Sequence, residues 1–428
     1  MRILQGIAFF IAEYLLNEPA ILMGLVAFIG LVVQKKSFNQ TITGTIKTIA
    51  GFLIIGVGAG IIVKTILPIA SILEYVAGIE VASVGMGTDK FIELHGGTIT
   101  LIMALGFLIN IILARLTRFK YIYLTGHQMF WMVFVYVALT IEVIPTVSRT
   151  TMIIVGSLLA GLYFTLSPAL VQPFLRKVTG SDDFAFGHTT SFGVIMGSVL
   201  GGFVGNPEQS TEDINLPESL EFLKDVTVST TIITVLMYLI GVLLAGKGYI
   251  EVNVSGGQDA FTYAILQGLN FGVGLTVSLM GVGMMVAEII PAFRGISMKV
   301  VPNAIQALDA PVVFNYAPTA VMIGFLSSLV TTILCMIIFG SIGWFILTPP
   351  VITCFFGGGP AGVFGNSTGG WKGAIAAGVA AGLMISFGQA LSVPLLSSTV
   401  ADFARRSADF DYSILAPIYY HIIKLFAH

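Results

Sequence analysis

The stretch ITGTIKTIAGFLIIGVGAGIIVKTILPIASILEY, residues 42–75, decides the fold class of this chain. Lys47, Lys64 and Glu74 are its only charged residues, and most of the others are apolar or small. A helix needs about 20 such residues to cross a bilayer. The stretch therefore predicts a membrane helix that is longer than one straight crossing and has to tilt or bend.

Apolar runs of the same kind recur along the whole sequence. Of its 428 residues, 56% are hydrophobic and only 10% are charged. The other candidate spans are Ala20–Val33, Gly97–Ala114, Tyr121–Ile144, Met152–Val171, Val226–Ala245, Phe261–Pro291, Tyr316–Phe345 and Ala374–Leu395. No segment is polar and long enough to fold outside lipid, so we predict one all-α integral membrane domain over residues 1–428. The net charge of −2 gives no reason to expect a nucleic-acid partner.

Lysine and arginine positions predict how the first half crosses the membrane. The basic clusters Lys35–Lys36, Arg115–Lys120 and Arg176–Lys177 fall on one side if the first five spans each cross once. By the positive-inside rule that side is cytoplasmic. The acidic segment Gly78–Glu93 then fits the outer side.

Two pairs of short segments indicate an internal repeat. GAGIIVKTILP at residues 58–68 resembles GVGMMVAEIIP at 281–291, and FGHTT at 186–190 resembles FGNST at 364–368. An odd number of crossings in each half would invert the second copy relative to the first. We therefore predict two inverted repeats of about five spans, residues 1–205 and 206–428, an architecture typical of transporters.

Three regions combine glycine, proline and small polar residues with apolar surroundings, namely Phe184–Gly205, Val301–Asn315 and Gly357–Gly370. Irregular backbone is tolerated at membrane depth only against protein or a wet cavity. We therefore predict re-entrant or broken elements there, gathered around a polar binding site.

The densest group of hydrogen-bonding side chains lies in the first of these regions, at Gly187-His188-Thr189-Thr190-Ser191. A polyhydroxylated ligand needs such a group, because each hydration bond that it loses has to be replaced. We predict that His188, Thr189 and Thr190 contact a ligand.

His127, Gln128 and Asp309 are further candidates in apolar surroundings. His127 and Gln128 open the fourth predicted span, where a histidine serves a helix–helix hydrogen bond as readily as a ligand. Asp309 can accept two sugar hydroxyls or act as a base toward one, and the alternative is a carboxylate paired with a nearby donor. The three ionisable residues lie too far apart in sequence to specify a metal site, and we expect no metal or cofactor.

Several separate motifs, in the right order, resemble one known family. They are Gly44–Phe52, Leu124–Phe130, Gly187–His188, Gly295–Ser297 with Asp309, Tyr316–Pro318, Gly369–Trp371 and Ser413–Pro417. From about residue 40 to the C-terminal region, the chain resembles the ascorbate-specific IIC membrane subunit of the bacterial phosphoenolpyruvate-dependent phosphotransferase system, within the ascorbate and galactitol superfamily.

The resemblance implies a homodimeric permease of the bacterial inner membrane, in which a core domain carries L-ascorbate past a dimerising scaffold. It also implies that the sugar acid is phosphorylated on arrival by a phosphocysteine on a separate cytoplasmic IIB protein, supplied by IIA, HPr and enzyme I. Phosphotransferase activity then belongs to the complex rather than to this chain alone.

The same resemblance implies a set of substrate contacts. His127, His188 and Asp309 come first, and the further candidates are Gln128, Thr189, Thr190, Trp131, Tyr316, Thr88 and Asp89. The family's pattern has glutamine at the positions of Trp131 and Thr189, so these two residues bear on which sugar acid is bound.

Two other interpretations fit the same residues. One is an ion-coupled secondary transporter that uses Asp309 and the histidines as a proton relay. The other is a IIC subunit for another sugar or sugar alcohol, such as galactitol. A secondary transporter would deliver the unmodified substrate, whereas a phosphotransferase permease delivers its phosphate.

Overall fold

A computed structural model describes residues 19–79, 85–214, 217–219, 222, 225–299, 301–407 and 409–425. It confirms the predicted all-α membrane class, because eight helices in these residues are long and apolar enough to span a membrane. The helices are α1 (Pro19–Val33), α2 (Phe38–Val76), α3 (Thr88–Leu116), α4 (Gly126–Val143), α5 (Arg149–Thr179), α6 (Ser191–Val204), α7 (Val226–Ala245), α8 (Ala260–Lys299), α9 (Pro318–Ser341), α10 (Gly359–Leu395), α11 (Ala401–Arg406) and α12 (Phe410–Leu425). Short helical turns cover Thr211–Asp213, Lys247–Tyr249, Ile250–Val254, Ala310–Tyr316, Val351–Thr353 and Cys354–Gly358.

The long apolar stretch at residues 42–75 forms most of the helix α2. Ser37 and Gln40 start this helix with reciprocal hydrogen bonds between side chain and backbone, which satisfy two of the free amides at its N-terminus. The helix continues through Pro68 to Val76, for 39 residues in all. It is therefore longer than a straight crossing requires, as the sequence predicts.

Helices α2 and α8 pack against each other along a glycine seam. A Cβ added at Gly51 would lie 2.6 Å from the amide nitrogen of Met285, and one added at Gly58 would lie 2.5 Å from that of Ser278. Early residues of α2 therefore face late residues of α8, so the two helices run antiparallel. This is the relation that inverted repeats require of the first sequence pair, residues 58–68 and 281–291.

The second sequence pair falls on unlike structures. Phe186 ends a strand and is followed by a turn, whereas residues 364–368 lie within α10. The side chains of Phe186 and Phe364 do meet, with ring centroids 5.7 Å apart. The resemblance of these two segments therefore does not mark equivalent elements, and the two halves, residues 1–205 and 206–428, stay a prediction.

The predicted break in Gly357–Gly370 lies at Gly370, where the chain of α10 turns back on itself. Gly370 has φ 59° and ψ −150°, a conformation that favours glycine. A Cβ added at Gly365 would lie 2.6 Å from the Cβ of Ala377, which is impossible along one continuous helix. Helix α10 is therefore two arms packed side by side, and the second arm contains the predicted span Ala374–Leu395.

The other two regions predicted to be broken contain short strands. Strands β1 (Tyr121–Tyr123), β2 (Ala185–Phe186) and β3 (Ile305–Leu308) form one sheet in the order β1-β3-β2, with both pairs parallel. The predicted span Tyr121–Ile144 is consequently helical only from Gly126, because its first residues pair with β3. This sheet determines where the polar residues of the site lie.

Candidate substrate site

The three strands end at the same edge of the sheet. In a parallel sheet the carboxyl ends of neighbouring strands lie side by side. The amide of Leu124 donates to Ala307 O at 3.0 Å, and the amide of Gly187 donates to Leu308 O at 2.7 Å. Backbone hydrogen bonds thus bring together three polar segments that are far apart in sequence, namely Thr125–Gln128, Gly187–Thr190 and Asp309. We call these segments the strand-edge wall.

Asp309 lies between the two histidines of this wall. Its Oδ2 is 3.4 Å from His127 Nε2, and its Oδ1 is 3.8 Å from His188 Nε2. The same Oδ1 accepts a hydrogen bond from the amide of Ala310 at 2.8 Å, at the start of the helical turn Ala310–Tyr316. The carboxylate is therefore held in place while one side of it remains available to a ligand.

Both ring nitrogens of His188 have partners. Its Nε2 is 2.9 Å from Gln128 Nε2, and its Nδ1 is 3.1 Å from Thr190 Oγ1. All three side chains are buried. His127 is more exposed and has Asp309 as its polar neighbour, so the two histidines differ in how firmly they are positioned.

The hydroxyl of Thr189 joins this network to a second carboxylate. It lies 2.7 Å from Gln128 Oε1 and 2.6 Å from Asp409 Oδ2. Asp409 comes from the far end of the chain, in the connection between α11 and α12. Sequence reasoning missed it, although the acidic pair Asp409 and Asp411 at the start of the last apolar stretch was a usable signal.

Asp411 anchors the connection that carries Asp409. Its carboxylate accepts hydrogen bonds from Tyr163 Oη at 2.6 Å and from the amide of Phe192 at 2.9 Å. Its own amide donates to Thr189 O at 3.0 Å. Asp411 therefore ties α12 to α5, α6 and the turn of His188. Unlike Asp409, it does not line the cavity.

A cavity of about 400 Å³ separates the strand-edge wall from one face of α2. Its volume lies within the usual range for small-molecule sites. The residues lining it are Phe52, Ile55, Gly56, Ala59, Val63, His127, Gln128, Trp131, His188, Asp309, Pro311, Ile352, Thr353, Phe356, Phe403, Ser407, Asp409 and Tyr412. The site is thus a partly apolar chamber with its ionisable groups concentrated on one side.

A family described as the sugar-specific permease component of the phosphotransferase system (EIIC-GAT) matches residues 14–411. The chain belongs to this family. It is also similar to the ascorbate-specific phosphotransferase EIIC component of Mycoplasma pneumoniae, with 29% identity over 412 residues. That alignment covers 84% of this chain and 62% of the relative, so the chain spans less than two thirds of that protein's length.

Family membership and the eight apolar helices together make this permease a multi-pass protein of the inner membrane. The cytoplasmic side of the basic clusters stays a prediction, and two contacts describe where some of these clusters lie in the fold. Gln34, which precedes Lys35–Lys36, donates to Pro291 O near the basic end of α8. Ile305 N donates to Lys120 O at 2.7 Å, so β3 begins beside Lys120.

Five of the predicted contacts do not line the cavity. Thr189 and Thr190 are fully buried and bond Gln128 and His188, whereas the other three lie away from the cavity. Thr88 donates from its hydroxyl to Asp402 at 2.8 Å and begins α3, and the neighbouring Asp89 is exposed. Tyr316 is also exposed and lies near Phe184, with ring centroids 6.3 Å apart. By contrast, Trp131 lines the cavity and stacks on Phe403 with ring centroids 5.1 Å apart.

No group of three His, Cys, Asp or Glu side chains in the described ranges is arranged to hold a metal ion. Cys335 and Cys354 are both buried and unpaired by disulfides. Cys354 packs in an apolar setting with its sulfur 3.7 Å from Thr332 Oγ1.

Proposed function

We propose that this permease takes up L-ascorbate and presents it to a phosphorylated IIB protein in the cytoplasm. The observation that carries this proposal is the strand-edge wall, where Asp309 faces His127 at 3.4 Å and His188 at 3.8 Å beside a cavity. The ascorbate specificity of the Mycoplasma relative supports the choice of sugar acid. On this proposal IIA, HPr and enzyme I supply the phosphate to IIB.

The cavity suits a small polyhydroxylated anion. Carboxylates accept hydrogen bonds from sugar hydroxyls, whereas histidine and glutamine side chains offer donors to negatively charged oxygens. Asp309 and Asp409 supply the first kind of group, and His127, His188 and Gln128 supply the second. Trp131 offers an apolar ring surface of the kind that packs against the face of a sugar ring.

We further propose that the site moves as a unit in an elevator-like cycle. Its polar residues follow three strands that are joined by backbone hydrogen bonds, so they share one rigid support. The opposite side of the cavity belongs to α2, which packs closely along α8. On this proposal α2 and α8 belong to a fixed scaffold that also forms the homodimer, and the strand-edge wall moves past it.

The decisive experiment measures which product accumulates. Inverted membrane vesicles or proteoliposomes containing the permease are given labelled L-ascorbate, with and without phosphorylated IIB on the cytoplasmic side. We expect ascorbate phosphate to form only when phospho-IIB is present, and Asp309→Asn to reduce its formation. A matched control is Asp89→Asn, which removes an exposed carboxylate away from the cavity and should leave uptake unchanged.

Two outcomes would replace the proposal. Accumulation of free ascorbate under a proton gradient, without IIB, would establish a proton-coupled secondary transporter in which the His127–Asp309 pair relays protons. Phosphorylation of galactitol in preference to ascorbate would keep the phosphotransferase mechanism and change the substrate.

A further inference from the structure

We infer that Asp409 determines which ring nitrogen of His188 carries the proton, acting through Thr189 and Gln128. This makes Asp409 a positioning residue that converts its own protonation into the donor and acceptor pattern of the substrate site. The inference rests on the proposed substrate site but not on the identity of the sugar.

The hydrogen-bond chain has four links. Asp409 Oδ2 is 2.6 Å from Thr189 Oγ1, and that oxygen is 2.7 Å from the side-chain amide of Gln128. The amide is in turn 2.9 Å from His188 Nε2, and His188 Nδ1 is 3.1 Å from Thr190 Oγ1. Thr189 and Thr190 are completely shielded from solvent, so water cannot replace a missing partner of their hydroxyls.

The Thr189 hydroxyl gives this hydrogen-bond chain one donor-to-acceptor direction at a time. A hydroxyl has one proton, so Thr189 cannot donate to Asp409 and to Gln128 at the same time. One of the two partners has to donate to it instead. The oxygen and nitrogen of the Gln128 amide occupy equivalent positions, and either of them can face Thr189.

When Asp409 is ionised, it can only accept a hydrogen bond. Thr189 then donates to Asp409 and accepts from the Gln128 amide N–H, which turns the amide oxygen toward His188. The imidazole therefore has to carry its proton on Nε2, and Nδ1 accepts from the Thr190 hydroxyl. In this state His188 donates from Nε2, which lies 3.8 Å from Asp309 Oδ1, to the amide oxygen of Gln128.

When Asp409 is protonated, every link reverses. Asp409 donates to Thr189, Thr189 donates to the Gln128 oxygen, and the amide N–H donates to His188 Nε2. The ring proton then lies on Nδ1 and is donated to Thr190. The net change between the states is one proton gained or lost by Asp409, while His188 exchanges its ring proton with water in the cavity.

Neighbouring negative charges favour the protonated state of Asp409 over the ionised state. The groups around Asp409 are Asp309 across the cavity and Asp411 and Tyr412 on α12. Asp411 accepts hydrogen bonds from Tyr163 and Phe192, which favour its charged form, and a negative charge there disfavours a second one nearby. An anionic ligand at Asp309 would act in the same direction, so ligand binding and the state of Asp409 are coupled.

The test is to observe the tautomer directly. Permease labelled with ¹⁵N-histidine is reconstituted in lipid bilayers, and solid-state NMR measures both ring nitrogens as the pH is raised. The His188 signals are assigned by their loss in His188→Asn. We expect the protonated nitrogen to change from Nδ1 to Nε2 with rising pH, and Asp409→Asn to abolish this change.

Substitutions of Thr189 show whether its hydroxyl acts in the hydrogen-bond chain or its side chain only fills space. Thr189→Val keeps the shape but removes the hydroxyl, so the tautomer should no longer follow pH, while Thr189→Ser should restore the wild-type response. Thr140→Val is the matched control, because this buried hydroxyl of α4 bonds Tyr419 rather than the site. It should leave the pH response unchanged.

The inference is overturned if His188 keeps one tautomer throughout in the wild type, or if Thr189→Val switches as the wild type does. Failure of ascorbate uptake with an intact switch would instead contradict the proposed substrate alone. Each variant is compared by thermal unfolding, so that misfolding is distinguished from loss of the relay.

Discussion

The two walls of the cavity differ sharply in chemistry. The strand-edge wall carries two histidines, a glutamine and Asp309, and each of these four side chains has a partner within hydrogen-bonding or ion-pair reach. The opposite α2 wall, formed by Phe52, Ile55, Gly56, Ala59 and Val63, offers no hydrogen-bonding side chain.

This difference separates two tasks of a transporter, namely binding the ligand and allowing the bound ligand to move. A ligand held only by one wall can travel with that wall, because no hydrogen bond to the other wall needs to break. An apolar wall with small residues such as Gly56 and Ala59 excludes water without forming hydrogen bonds to the ligand. The comparison therefore predicts that substitutions on the strand-edge wall change affinity, whereas substitutions on α2 change packing or movement.

The largest expected effect concerns the two faces of α2. Gly58→Ala places a Cβ against the backbone of Ser278, so we expect a loss of about 1–3 kcal/mol in stability. Gly56→Ala is the matched control, because no atom of the described neighbours lies within 4 Å of an added Cβ there. Thermal unfolding in detergent measures both variants.

We expect Gly58→Ala to lower the unfolding temperature and Gly56→Ala to leave it unchanged. Equal stability of the two variants would mean that the α2–α8 seam is loose, and α2 could then not serve as the fixed scaffold helix.

The next effect concerns Asp309. Asp309→Asn keeps the size of the side chain but removes its charge and turns one acceptor into a donor. We expect ascorbate binding to weaken at least tenfold, which corresponds to about 1.4 kcal/mol or more. Calorimetric titration checks this, with Ile55→Val on the α2 wall as a control that should bind normally.

An unchanged affinity of the Asp309 variant would show that this carboxylate serves the structure through Ala310 and the histidines rather than the ligand. A large loss in the Ile55 variant would contradict the assignment of binding to one wall.

A smaller effect distinguishes the two histidines. His127→Ala removes a group with one polar neighbour. We therefore expect the free energy of ascorbate binding to weaken by about 1 kcal/mol, which is roughly a fivefold loss of affinity. His188→Ala should cost more, because it also leaves Gln128 and Thr190 without their buried partner. The same titration ranks them, and a reversed order would place the ligand nearer His127 than the network of His188.

The sequence was sufficient for the membrane class and for the polar wall. Hydrogen-bonding and ionisable side chains are costly in lipid, so His127, His188 and Asp309 were visible against their apolar surroundings. The α2 helix was equally predictable from its length. These features depend on composition within a short window.

The sheet and Asp409 were not predictable in the same way. Strands of two to four residues are too short to show an alternating pattern, and β1 was therefore assigned to the helix that follows it. Asp409 reaches the site only because α12 is anchored through Asp411 to Tyr163, a contact between residues 248 positions apart. Such contacts depend on tertiary packing, which no local pattern encodes.

The smallest expected change is the one that tests the rigid support of the strand-edge wall. Helices α5 and α6 belong with this wall, since Ser191 Oγ donates to His188 O at 2.9 Å and lies 2.7 Å from Ser167 Oγ. Their apolar residues Leu162 and Met196 are exposed, as is Leu53 on α2, so each position accepts a spin label without disturbing the core. Pairwise distances are measured by double electron–electron resonance in bilayers, with and without ascorbate and phospho-IIB. Because the strands join the site residues through backbone hydrogen bonds, the Leu162–Met196 distance should stay constant, while both distances to Leu53 change together. If the Leu162–Met196 distance changes as much as the distances to α2, the wall does not move as one body, and local gating around His188 would have to replace the elevator-like cycle.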